Sequence, residues 1–184
     1  MRFQAMVGAL SAVAAYPFIG ASIVLSPWFD FYNNALSDLG NTVLHGSTAW
    51  IFNSGLILSG ALVACFGALM SLQHRSKEYL SWTMPTTAAG IDLALIGVFP
   101  ENLGLVHFVV SVILFSLMAI IMLVYGYYSR PLGSPRIGAV SLVFGIAIAV
   151  TWFMGWPWHG VAIQEVTSCL MTSAWLLLIS GHNV

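Results

Sequence analysis

LVHFVVSVILFSLMAIIMLVYGYY, from Leu105 to Tyr128, runs 24 residues without an Asp, Glu, Lys or Arg. Glu101 stands just before it and Arg130 just after. As a helix it would reach roughly 36 Å, more than the ~30 Å hydrocarbon core of a bilayer. Backbone N–H and C=O groups in hydrocarbon must bond within their own segment, so this stretch reads as a transmembrane helix. The pattern repeats on both sides. Upstream, apolar spans run from about Ala5 to Ser26, Ser47 to Leu72 and Leu80 to Phe99. Downstream they run from about Ile137 to Met154 and Val161 to Ser180.

Composition agrees. The 184 residues are 59% hydrophobic and 6% charged, with mean hydropathy +0.92. A soluble domain carries about 25% charged residues. Six spans and five connections use up the length, so residues 1–184 read as one all-α domain. The expected architecture is a polytopic membrane protein with six transmembrane helices in a compact bundle. Ten-residue alternating segments, the mark of an outer-membrane barrel, are missing. No basic run or Gly-rich phosphate loop points to nucleic acid or nucleotide. The apolar stretch after Arg2 reads as the first span, without the cleavage pattern of a signal peptide. Cys65 and Cys169 lie within apolar segments and read as small hydrophobes.

Charge fixes an expected orientation. Arg2, Arg75, Lys77, Arg130 and Arg136 fall at the N-terminus and in connections two and four. Asp30, Asp38 and Glu101 fall in connections one and three, which have no Lys or Arg. The positive-inside rule places the basic residues in the cytoplasm. The chain is then N-in and C-in, in the cytoplasmic (cell) membrane. Aromatics are expected as interfacial belts: Trp28, Phe29, Phe31, Tyr32, Trp152, Trp156 and Trp158 outside, Tyr79, Trp82, Tyr125, Tyr127 and Tyr128 inside. Gly8, Gly60, Gly67, Gly138 and Gly145 fit close packing of helix backbones.

Polar residues in this setting need an explanation. Connection one, Pro27 to Gly46, is far longer than a minimal helix–helix link. It holds Asn34, Ser37 and Asp38 at helical spacing, so a short interfacial helix fits. The alternative is a solvated loop whose Asn, Ser and Asp cap a helix. Asn53, His107, Ser111, His159 and Glu165 all fall in the outward half of the spans or at their outer ends. The inner halves hold nothing comparable. An outward-facing polar pocket follows as the expectation. Asp92 lies about eight residues before Pro100, near the midplane, where a carboxylate is costly unless protonated, paired or wet.

Such a pocket has the groups for acid–base chemistry, with Asp38 or Glu101 as base and His107 or His159 as proton donor. Asn34, Ser37, Asn53, Ser111 and Glu165 are the candidate substrate-binding residues. No metal-ligand spacing occurs, so no metal or other cofactor is predicted. Haem between two histidines and a Ser–His–Asp hydrolase have only the residue types in their favour. A rival reading makes the protein a small transporter with Asp92 and Glu165 as a proton relay. A third makes it a non-catalytic subunit of a membrane complex.

Two motifs carry a resemblance. Asn34-Ala-Leu-Ser-Asp-Leu-Gly40 follows the first span, and Phe99-Pro-Glu-Asn102 precedes His107 by a short step. The chain resembles an uncharacterised family of six-helix membrane proteins of bacteria and archaea, a domain of unknown function. That family is distantly similar to Frag-like, DRAM-like and Sfk-like membrane proteins. The resemblance implies the fold and a connection to lipid biology, and marks Asn34, Ser37, Asp38, Gly40, Pro100, Glu101 and His107. It implies no reaction. The function expected overall is handling of a lipid or lipid-like amphiphile, by binding, remodelling or hydrolysis. Expected partners are membrane lipids, with a homo-oligomer or a larger membrane complex left open.

Overall fold

The computed structural model describes residues 3–182, all of whose regular structure is helical. Arg2, on which the orientation reading partly rests, lies outside the described residues. Helices α1 (Phe3–Val13) and α2 (Tyr16–Val24) form one rod with a break. Pro17 stands in the first turn of α2 and has no N–H to give Val13, so the ladder stops there. A four-residue helix α3 (Thr42–His45) then precedes five long helices. These are α4 (Ala49–Gln73), α5 (Lys77–Val98), α6 (Leu105–Tyr128), α7 (Pro135–Phe153) and α8 (Ala162–His182). Each lies within a few residues of its expected span.

Short connections make sequence neighbours antiparallel partners. The α1–α2 rod packs on α4, α4 on α5, α5 on α6, α6 on α7 and α7 on α8; α8 returns to α1 and closes a ring. Five stretches are long and apolar enough to cross a membrane: Phe3–Val24, Thr42–Gln73, Leu105–Tyr128, Pro135–Phe153 and Ala162–His182. Large apolar side chains such as Val24, Leu105 and Phe153 point outward, as they would toward lipid. The chain is an all-α bundle of multi-pass membrane type.

Helix α5 differs from the other five members of the ring. It has the length, 22 residues, but includes Lys77, Glu78, Asp92 and four Ser or Thr between Ser81 and Thr87. It is held by α4 rather than by its own apolarity. A Cβ on Gly60 would sit 2.4 Å from the Ala94 nitrogen, and one on Gly90 would sit 2.2 Å from the Ala64 nitrogen. The two backbones therefore touch directly, the packing that small residues permit in lipid.

The bundle has two unlike ends. At one, connections α4–α5 and α6–α7 carry Arg75 and Arg130, with Lys77 and Arg136 in the first turns beyond them. At the other, connections α2–α4, α5–α6 and α7–α8 meet, bringing Asp38 and Glu101. Not all aromatics form belts. Trp82, Tyr125 and Trp175 are buried and meet edge-to-face, with centroids 5.3, 6.1 and 5.6 Å apart. Trp82 and Tyr125 were expected at the interface. They turn inward instead, because the ring leaves a space there that only large side chains fill.

Candidate functional site

Connection α2–α4 is not one interfacial helix. It is a run of turns, then a 3-10 turn at Leu36–Gly40, then α3. Short polar side chains next to their own backbone favour this. Asp30 Oδ1 accepts from the Tyr32 and Asn33 amides at 2.7 and 3.2 Å. Asp38 Oδ2 accepts from the Ala35 amide at 3.0 Å and from Asn34 Nδ2 at 3.1 Å. Asn34 and Asp38 thus meet as expected, across a tight turn instead of along a helix. Leu36, between them, and Leu39, just after Asp38, are buried in the core.

The two sequence motifs are stitched together. Asn41 caps α3 by accepting from the Val43 and Leu44 amides at 3.2 and 3.1 Å. Its Nδ2 donates to Glu101 Oε2. Asn102 Oδ1 accepts from the Thr42 amide at 3.0 Å and from the Thr42 hydroxyl at 2.9 Å. Asn53, buried in α4, donates to the Gly40 carbonyl at 3.0 Å. A Cβ on Gly40 would lie 2.4 Å from Asn53 Oδ1, so the turn has room for glycine alone. On the other flank the Asn34 carbonyl accepts from the Val161 and Ala162 amides at 3.1 and 3.0 Å. The Leu36 amide donates to Glu165 Oε2. Residues far apart in sequence become one rigid cap over this end of the ring.

Below the cap lies a cavity of about 640 Å³. Helices α6 and α7 supply most of its wall. Toward the basic end they pack closely, where a Cβ on Gly138 would overlap Ser129 and one on Gly145 would lie 3.0 Å from the Ala119 carbonyl. The upper wall contains Ser37, Asp38, Glu101, His107, Ser111 and Glu165. Apart from Ser116, the rest is mostly apolar, including Val112, Phe115, Ile120, Leu123, Trp152 and Phe153. Phe108, Val112 and Phe153 are also exposed on the outer surface, so the cavity opens sideways between the helices.

His107 is 93% buried, given its 7% exposure. Its Nδ1 lies 2.8 Å from the Phe99 carbonyl, which only accepts, so Nδ1 carries the proton. In the neutral ring Nε2 is then a lone-pair acceptor, and it has no partner among the described residues. Ser111, one helical turn deeper, lines the same wall.

Six of the sequence candidates therefore share one cavity: Asp38, Glu101, His107, Ser37, Ser111 and Glu165. Four do not. Asn34 and Asn53 hold the cap from behind. His159 is exposed and offers its backbone amide to the Tyr32 carbonyl at 3.1 Å, away from the cavity wall. It was expected as a proton donor in the pocket, but it lies exposed in the bend before α8, while the next residue, Gly160, packs on the Asn34 backbone. A Cβ on Gly160 would lie 2.2 Å from the Asn34 carbonyl oxygen. Asp92 is buried in α5 with Oδ2 unpartnered among the described residues, and it lines neither this cavity nor a smaller one of about 110 Å³ beneath Leu36.

No three His, Cys, Asp or Glu among the described residues gather as a metal site. Cys65 and Cys169 are free. Sequence reading missed Asn41, Thr42 and Asn102 as the stitch between motifs. Asn41 before Thr-Val-Leu-His was a legible capping signal. It also missed the apolar wall on α6 and α7, because an apolar residue inside a span carries no mark of which side it faces.

No curated protein and no solved structure matches this chain. A family model does match residues 6–182, nearly the whole chain and both motifs of the cap. The chain belongs to the family described as protein of unknown function, DUF998.

Proposed function

We propose that the protein binds a lipid or lipid-like amphiphile in the cavity between α6, α7 and α8, with the capped end facing outward from the cytoplasmic membrane. In this reading α5 crosses the bilayer with the other five members of the ring, and both termini are cytoplasmic. The segregation of Arg75, Lys77, Arg130 and Arg136 to the opposite end supports the orientation. The single observation that carries the function is the two-part wall. Polar groups collect beneath the cap, and an apolar trough leads away from them toward lipid. On α6 the wall runs from His107 to Leu123, roughly 24 Å along the helix at 1.5 Å per residue. That exceeds the ~15 Å depth of one leaflet's hydrocarbon, so a whole chain fits along it. The sideways opening lets an amphiphile enter from the bilayer without leaving it.

Within this reading Asp38, Glu101, His107, Ser37, Ser111 and Glu165 meet the head group. Any acid–base step falls to His107 Nε2 as acceptor, instead of the donor role first expected of it. Asn34 and Asn53 shape the cap. A proton relay through Asp92 and Glu165 has less behind it, since Glu165 lines the cavity and Asp92 does not.

The test titrates chain-brominated octadecyl amphiphiles into phosphatidylcholine nanodiscs containing the full chain. Bromine on a bound chain quenches Trp152, whose contribution is isolated by subtracting a Trp152→Phe sample. Saturable quenching is expected, and Ala149→Phe, which fills the trough, abolishes it. Absence of a saturable Trp152 component for every head group tried would overturn the reading.

A further inference from the structure

We infer that the head group recognised at this site is a hydrogen-bond donor, an ammonium or a hydroxyl, and that phosphate-headed amphiphiles are rejected. The inference rests on the amphiphile reading and specifies its ligand class. Every acidic or imidazole group on the polar part of the wall presents an acceptor. Asp38 and Glu101 bring carboxylates, and Glu165 a carboxyl oxygen. His107 adds Nε2, buried and without a protein partner, while its other nitrogen is committed to the Phe99 carbonyl. The wall's serine donors are the hydroxyls of Ser37, Ser111 and Ser116. Among the described residues no Lys or Arg lines the cavity, and Arg75, Lys77, Arg130 and Arg136 belong to the far end of the bundle.

Several amides of the cap that could otherwise bind an anion are spent on protein partners. Ala35 N–H goes to Asp38, Leu36 N–H to Glu165, and Val161 and Ala162 N–H to the Asn34 carbonyl. A phosphate entering here would meet the carboxylates of Asp38 and Glu101 in a poorly solvated site, with no Lys or Arg lining it among the described residues to offset the repulsion. An ammonium has three N–H donors and a hydroxyl has one, and each finds acceptors waiting. His107, on the cavity wall, keeps an Nε2 with no protein partner among the described residues. A buried acceptor left unpaired is costly, and a donor from the head group satisfies it.

The test compares three chain-brominated octadecyl probes, the amine, the alcohol and the phosphate, in the same nanodiscs and with the same Trp152 signal. Amine and alcohol are expected to reach half-saturation at concentrations at least about tenfold below the phosphate, since like-charge juxtaposition is strongly unfavourable. A second arm uses His107→Phe, checked for helicity and monodispersity. Removing the acceptor is expected to weaken the alcohol by about tenfold. Phosphate binding as tightly as the amine and the alcohol would overturn the inference while leaving the amphiphile reading intact. If His107→Phe does not fold, the head-group series on the unaltered protein still decides. Amine strongly favoured over alcohol would assign the recognition to the carboxylates; equal affinity would assign it to Nε2. Failure of all three probes would instead remove the amphiphile reading itself.

Discussion

Asn41 joins two jobs in one side chain, and substitutions separate them. Its Oδ1 caps α3, and its Nδ2 donates to Glu101 across the seam between the two motifs. Asn41→Ala removes both interactions. Asn41→Asp keeps the capping oxygen but sets a second carboxylate against Glu101. Loss of the cap is worth ~1 kcal/mol, or about fivefold in a local opening equilibrium. Loss of a hydrogen bond to a charged group is worth ~1.5–3 kcal/mol, or roughly 10- to 150-fold. Amide hydrogen exchange, resolved by residue in nanodiscs, reads the two effects at different atoms. The Val43 and Leu44 amides bond to Asn41 itself, so they report the cap. The Thr42 amide bonds to Asn102 across the seam, so it reports the stitch. In Asn41→Ala all three should exchange faster. In Asn41→Asp the Val43 and Leu44 amides should change little, while Thr42 exchanges at least about tenfold faster. A Thr42 amide still fully protected in Asn41→Asp would refute the claim that the Asn41–Glu101 bond holds the cap shut.

Three further outcomes are expected. Gly90→Leu should cost ~1–3 kcal/mol by driving α5 off α4, where a Cβ already meets the Ala64 nitrogen at 2.2 Å. Unfolding in mixed micelles, followed by circular dichroism, checks it against Gly20→Leu, whose Cβ meets nothing within 4 Å and should be near neutral. Trp175→Phe and Ser141→Ala should each destabilise by ~1–3 kcal/mol, because each breaks the buried indole–hydroxyl bond of 2.8 Å. The double variant should cost less than their sum in a mutant cycle. His74, stacked on Tyr79 with centroids 4.1 Å apart, has its pKa lowered from 6.5 by burial. The unfolded chain then binds more protons than the folded one between the lowered pKa and 6.5, and stability rises with pH through that window. Moving from about pH 7.5 to about pH 5.5 should loosen the α4–α5 turn, and His74→Gln should remove that part of the pH dependence, read as the shift in unfolding midpoint.

Much of the site was legible as a list and not as a place. Asp38, Glu101, His107, Ser111 and Glu165 stood out because polar side chains in a hydrocarbon setting are expensive and therefore rare. His159 stood out for the same reason. It lies exposed in the bend before α8, and nothing in the letters near it marks that bend as different from a helix start. Asn53 was read as a binding residue and is a clamp, since its partner is a backbone carbonyl supplied by Gly40, invisible until the turn exists. Trp82 and Tyr125 were read as belt aromatics and are core. Composition places an aromatic at a depth along the bilayer normal but leaves its azimuth around the helix open.

The sequence by itself determined the long apolar helices and their order, because hydrocarbon demands internally bonded backbone and excludes charge, and both demands act residue by residue along the chain. Tertiary structure alone decided which side chains meet. The contact of α4 with α5 through bare backbone, the cavity walled by α6 and α7, and the knot of Asn34, Asn41 and Asn102 depend on packing between distant segments. Around a helix inside lipid nearly every direction is equally greasy, so hydropathy carries no bearing and only the neighbouring helices supply one.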